Sequence, residues 1–178
     1  MEAWIGLGSN LGEPRGNLRE AARRLDQVEG VELKRGSGFY RTAPWGNEDQ
    51  DDFINAVAVL DTTLKPPDLL KTLLAVEDQM GRRRSGKQWG PRCIDLDLLT
   101  YENLLLKSPD LELPHPRMHL RAFVLRPLLD LDPDFSIPGI GPAAACMAGL
   151  KPQRVEYLGS VDRISPWERV ANDQSSIK

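Results

Sequence analysis

Sulfur chemistry has little to work with in this chain: among 178 residues only Cys93 and Cys146 carry thiols. Two cysteines so far apart make neither a disulfide framework nor a Cys-x-x-Cys metal site, and both read as free thiols. Long hydrophobic runs are missing too. No apolar stretch approaches the roughly 18 residues that a membrane span needs. Met1-Glu2-Ala3 lacks the basic start and long apolar core of a signal peptide, so the expected location is the cytoplasm. Positive charge is in short supply overall, with 23 Lys and Arg against 26 Asp and Glu for a net charge of −3, which argues against general polyanion binding. His115 and His119 are the only histidines. With no Gly-x-Ser-x-Gly elbow, a Ser/His/Asp hydrolase has no support. What remains, a chain with 40% hydrophobic residues, suits one soluble globular domain with a sizeable core.

Within that ordinary composition, two stretches stand out. In Trp89-Gly90-Pro91-Arg92-Cys93-Ile94-Asp95-Leu96-Asp97-Leu98-Leu99, two carboxylates lie two residues apart in an apolar run. In a strand such residues share a face, roughly 6.6 Å apart along the backbone, while Ile94, Leu96 and Leu98 turn to the core. That spacing suits two carboxylates sharing divalent ions, and hard oxygen donors favour magnesium over zinc. Alone, the pattern fits equally an edge strand with a solvated acidic face. Just upstream, residues 82 to 92 hold Arg82, Arg83, Arg84, Lys87 and Arg92 without one acid, among Gly86, Gly90 and Pro91. A cationic, glycine-rich loop leading into a two-carboxylate strand supplies what a polyphosphate needs, metal ions on one side and arginine forks on the other.

Apolar spacing gives alternating strands and helices. Ala3 to Leu7 reads as a buried strand ending at Gly8-Ser9-Asn10. Leu18, Ala21, Ala22 and Leu25 recur at helical spacing after Pro14, in a helix ending near Gly30. Val31 to Tyr40 and Phe53 to Leu64 are β-rich, joined by a long connection over 44–52. Pro66-Pro67-Asp68 opens a second helix through Leu69, Leu70, Leu73, Val76 and Met80. After the Asp95/Asp97 strand come a short strand pair around Leu104 to Leu113 and a third helix from about Met118 to Leu129. The order βαββαβ, with additional short strands and a C-terminal helix, is the ferredoxin-like α+β arrangement, an antiparallel sheet with helices on one face. Residues 1–150 read as a single domain and 151–178 as a peripheral extension with a frayed end.

Taken together, Gly8-Ser9-Asn10, Phe39-Tyr40-Arg41-Thr42, Arg82, Trp89-Gly90-Pro91-Arg92, Asp95-Leu96-Asp97 and Pro114-His115-Pro116 followed by Arg121 and Phe123 resemble 6-hydroxymethyl-7,8-dihydropterin pyrophosphokinase of folate synthesis. The resemblance runs in order from about residue 3 to about residue 135. It implies the same fold, with substrates on the open face of the sheet beneath loops 44–52 and 82–92. It implies transfer of the β,γ-pyrophosphoryl group of ATP to the hydroxymethyl group of the reduced pterin, with release of AMP. Asp95 and Asp97 would hold two Mg²⁺ ions, and Arg82 and Arg92 would be the mobile arginines that reach the phosphates. For the pterin, Phe53 and Phe123 match the two stacking positions, Thr42 and Asn55 the side-chain partners, and Pro44 and Trp45 the backbone partners, with Gly8 and Asn10 framing one wall. Glu77, Arg84, Trp89, Leu98, His115 and Arg121 fall to the nucleotide. Glu77 also fits an ion pair with a nearby arginine, and His119, without a family match, reads as a surface helix residue.

The partners so implied are small molecules, with no nucleic acid and no membrane, and the chain is expected to act as a monomer. Gln88, Cys93, Trp45 and Asp110 depart from the family pattern and bear on ATP affinity and loop packing more than on the reaction. Another two-metal nucleotidyl or phosphoryl transferase would share Asp95 and Asp97 without needing the pterin residues. A ferredoxin-like RNA-binding module lacks the aromatic RNP1 pattern here.

Overall fold

The computed structural model of this chain describes residues 1–44, 50–81 and 92–159. Five strands form the main path of one antiparallel sheet: β1 (Glu2–Ser9), β3 (Tyr40–Thr42), β4 (Phe53–Thr62), β5 (Asp95–Tyr101) and β10 (Val155–Tyr157), in the order β10-β3-β4-β1-β5. A further strand, β2 (Val31–Gly36), pairs with the second half of β4, while β3 pairs with its start. The expected single run from Val31 to Tyr40 is therefore split. Between its halves, Ser37 holds β4 by exchanging main-chain and hydroxyl hydrogen bonds with Val57, each 2.9 Å.

Helices α1 (Pro14–Asp26) and α2 (Pro66–Gln79) each begin with proline, whose missing N–H costs nothing at a helix start. Leu18, Ala21, Ala22 and Leu25 of α1 and Leu69, Leu73 and Val76 of α2 bury against Ala3, Ile5, Leu7, Ala58, Leu60 and Leu96. The opposite face of the sheet is apolar as well, at Trp4, Val57, Val59 and Leu99. A sheet apolar on both faces needs cover on both. Helices α3 (Ala122–Leu131) and α4 (Ala143–Gly149) supply it through Val124, Leu125, Leu128 and Ala143. The expectation of helices on one face of the sheet and an open second face is corrected accordingly: among the described residues, the end of that face near Gly6, Gly8, Asp95 and Asp97 is the part that no helix covers.

Two short hairpins, β6 (Leu106–Lys107) with β7 (Glu112–Leu113) and β8 (Ser136–Ile137) with β9 (Gly141–Pro142), lie off the main sheet. The expected third helix is also divided. Met118–Leu120 is a 3₁₀ turn, Arg121 is extended at φ −116°, and α3 starts at Ala122. Gln153 stabilises this break, accepting the Ala122 N–H at 3.0 Å and donating to the Leu120 carbonyl at 3.2 Å. Its neighbour Arg154 pairs with Asp52, and Val155 stands opposite Thr42 in the sheet. Residues 151–159 thus pair with the main sheet where a peripheral extension was expected, and the rest of that segment, 160–178, lies outside the described residues. His119, read as a surface helix residue, is half-buried in the 3₁₀ turn, with its Nδ1 enclosed.

Candidate active site

Along β1 the side chains on the α3 face shrink from Trp4 to Gly6 to Gly8, and the sheet opens there into a cleft of about 680 Å³. That volume lies within the roughly 300–1,000 Å³ of small-molecule sites. The register sets Gly6 opposite Asp97 and Gly8 opposite Asp95 on one side, and Gly8 opposite Asn55 on the other. At the second position a Cβ on Gly8 would stand 2.9 Å from Asn55 Oδ1, so any larger residue there would displace the Asn55 side chain. Both aspartates project over this glycine floor, as the period of two demands.

At the acidic end both aspartates of the pair face a cation. Arg92 Nη1 donates to Asp95 Oδ2 at 2.6 Å, and Arg121 Nη1 donates to Asp97 Oδ2 at 3.1 Å. His115 Nε2 lies 3.9 Å from the same Asp97 oxygen. Its other nitrogen, Nδ1, accepts the Arg117 N–H at 3.2 Å, so the neutral ring carries its proton on Nε2, toward Asp97. Burial pushes the His115 pKa below the usual histidine value; Asp97 opposes that shift, while Arg121 and Arg117 reinforce it. Glu77, fully buried on α2, accepts the Leu96 N–H at 2.7 Å and so pins the backbone between the two aspartates.

Phe53 and Phe123, both half-buried, line the other end. Asn55 Nδ2 donates to Thr42 Oγ1 at 2.7 Å, which leaves the threonine proton and the Asn55 carbonyl to face a ligand with complementary donors and acceptors. Arg121 links the two ends, its guanidinium carbon 5.5 Å from the Phe123 ring centroid.

Of the residues expected from sequence, Gly8, Thr42, Phe53, Asn55, Glu77, Arg92, Asp95, Asp97, Leu98, His115, Arg121 and Phe123 line this one cleft. Asn10 and Pro44 do not. Asn10 stands behind the wall, where its carboxamide bonds to Arg92, Gln50 and Asp51. Trp45, Arg82, Arg84 and Trp89 lie outside the described residues. Sequence reasoning missed Gly6, Gln50, Leu70, Leu74 and Glu112, and it named Asp110 only as a departure; all line the cleft. Leu70 and Leu74 did carry a signal. They are i, i+4 neighbours, half-buried and offset from the core stripe of Leu69, Leu73 and Val76, in the direction of Glu77.

Fold and cleft define a ferredoxin-like α+β domain whose main cleft joins an acid and arginine end to an aromatic end. The model of the 7,8-dihydro-6-hydroxymethylpterin-pyrophosphokinase (HPPK) family matches residues 4–133, and the chain belongs to that family. A relative from Methylorubrum extorquens named 2-amino-4-hydroxy-6-hydroxymethyldihydropteridine pyrophosphokinase is 42% identical over 156 residues, 88% of this chain and 98% of that protein. One of the same name from Pseudomonas aeruginosa is 45% identical over 138 residues, 78% of this chain and 85% of that protein. Among solved structures, wild-type Plasmodium falciparum HPPK-DHPS with pteroate superposes with a TM-score of 0.65 at 15% identity, covering 83% of this chain. This chain spans 42% of that longer one, and the likeness concerns the fold alone.

Proposed function

We infer that this chain transfers the β,γ-pyrophosphoryl group of ATP to the hydroxymethyl group of 6-hydroxymethyl-7,8-dihydropterin, releasing AMP, as a step of folate synthesis. The observation that carries the reading is the joining, in one cleft, of the Asp95/Asp97 pair with its arginines and the Phe53, Phe123, Thr42 and Asn55 constellation. The first suits a polyphosphate, the second a flat heterocycle with an amide edge. Family membership gives the two halves one reaction.

In that reaction the pterin hydroxyl oxygen bonds to the β-phosphorus and gives up its proton. The bridge between the α- and β-phosphates breaks, and AMP departs with the electron pair. Positioning and electrostatics carry most of the catalysis. Phe53 and Phe123 sandwich the pterin, while Thr42 and Asn55 read its amide edge, and Trp45 is assigned to that edge on the strength of the sequence pattern. Arg92 and Arg121, now on carboxylates, exchange those partners for phosphate oxygens as the nucleotide binds. Glu77, Leu98 and His115 shape the nucleotide end, and Arg82, Arg84 and Trp89 join it on the strength of the sequence pattern.

The donor set also fits magnesium. Asp95 and Asp97 are hard oxygen donors on one face of β5, a pair that suits ions also coordinated by nucleotide phosphates. Mg²⁺, two ions in our reading, would be held by Asp95 and Asp97 and would neutralise phosphate charge and favour loss of the pterin hydroxyl proton. We read the active species as a monomer acting on small molecules in the cytoplasm. The test is product analysis by ion-exchange chromatography. AMP should appear from ATP when the reduced hydroxymethylpterin is present, and AMP release independent of the pterin would refute the reading.

A further inference from the structure

Asn10 sits just past the end of β1 and is 4% exposed. Its main chain donates to the Arg92 carbonyl at 3.1 Å, and its Oδ1 accepts the Arg92 N–H at 2.8 Å. Its Nδ2 donates both to the Asp51 carbonyl and to Gln50 Oε1, each at 3.1 Å. The turn that carries it is itself held, since Asn17 Nδ2 bonds to Ser9 Oγ at 3.1 Å and to the Leu11 carbonyl at 2.8 Å. Three segments meet at this one side chain. One is the glycine floor; one enters β5 three residues before Asp95; one enters β4 two residues before Phe53.

We propose that Asn10 is a positioning residue, a clamp that sets Arg92 and the stretch leading to Phe53 in register with each other and touches neither substrate. Its carboxamide is already committed on both sides and does not line the cleft. The two-way bond to Arg92 fixes that residue's backbone, so its guanidinium moves between Asp95 and a phosphate about a stationary Cα. The amide arm on Asp51 and Gln50 holds the approach to the ring at Phe53. A shift of about 1 Å at such a point costs on the order of 100-fold in rate, although the residue makes no contact with the reacting atoms. This inference deepens the pyrophosphoryl-transfer reading and rests on it for its kinetic arm alone.

The test is a mutant cycle of Asn10→Ala with Arg92→Ala, read by turnover and by amide exchange. In the native background Asn10→Ala should lower kcat by about 10- to 100-fold while the Kd for ATP changes less than about threefold. In the Arg92→Ala background the same change should lower kcat by less than about threefold, because the group through which Asn10 acts is gone. A loss of equal size in both backgrounds, or none in the native one, overturns the proposal. Independently of turnover, Asn10→Ala should speed exchange of the Arg92 amide proton by about tenfold or more, with Ile5 and Val57 unchanged. Unaltered Arg92 protection overturns the clamp. If Asn10→Ala does not fold, Asn10→Asp keeps the shape and the acceptor for the Arg92 N–H but removes the donor to Asp51 and Gln50. It should retain Arg92 protection and raise the KM for pterin; an unchanged pterin KM, or exposure of the Arg92 amide, refutes it. A wild-type chain that releases no AMP would sink the functional reading, leaving amide exchange to decide on the clamp.

Discussion

Replacing Asp97 with alanine removes a carboxylate from the cleft and, in the same stroke, leaves Arg121 without its partner. The Arg121 side chain is 10% exposed and that of Asp97 is 36% exposed. Exposed pairs contribute about 0–1 kcal/mol, whereas breaking a fully buried pair costs about 3–5 kcal/mol. Asp97 is more than a third exposed, and Arg121 keeps the Phe123 ring at 5.5 Å. The cost therefore belongs near the lower end, about 1–2 kcal/mol. For a chain of this size that is a fall in Tm of about 2–8 °C. Sequence alone suggests an exposed carboxylate of little consequence for folding, and the buried arginine amends that. The catalytic loss should be far larger, several kcal/mol of transition-state stabilisation or about 10²- to 10⁴-fold in rate. Thermal unfolding by circular dichroism, run beside AMP release at saturating Mg²⁺, separates the two effects. A folded Asp97→Ala protein with near-normal AMP release would refute the reasoning.

Other expectations follow from single contacts. Phe123→Ala should weaken pterin binding by about 1–3 kcal/mol in a calorimetric titration and leave ATP affinity nearly unchanged; equal losses for both ligands would mean that Arg121, which lies over that ring, has moved as well. Gly8→Ala should push Asn55 off Thr42, because the new methyl would meet Asn55 Oδ1 at 2.9 Å, and it should weaken pterin binding about tenfold while the fold survives. Gln153→Ala should cost about 1–2 kcal/mol by freeing the Ala122 N–H and the Leu120 carbonyl, visible as a lower midpoint in urea. An unchanged midpoint would mean that the break at Arg121 needs no help from the C-terminal segment.

Short-range periodicity made much of this protein legible. Asp95 and Asp97 share a face because strand side chains alternate, and the leucines of α1 and α2 mark their buried stripes at helical spacing. The same local logic failed where distant groups decide. Nothing near Met118 shows that the helix pauses at Arg121; the pause depends on Gln153, more than thirty residues away. Helices α3 and α4 cover the second face because Trp4, Val57, Val59 and Leu99 come together there from three strands. Asn10 was read as part of the pterin wall but does not line the cleft, because its partners at 50, 51 and 92, invisible to local spacing, are brought to it by tertiary packing. Gly6 was overlooked for a related reason: a glycine in a strand declares its purpose only when the neighbouring carboxylate is seen across from it.

The central claim, attack on the β-phosphorus by the pterin hydroxyl in this cleft, is tested most directly by ³¹P NMR of a reaction containing ATP, Mg²⁺ and reduced hydroxymethylpterin. The β- and γ-phosphorus signals should move together into a pterin diphosphate as AMP accumulates in equal amount. ADP with a pterin monophosphate, or AMP with free pyrophosphate and unmodified pterin, would contradict it.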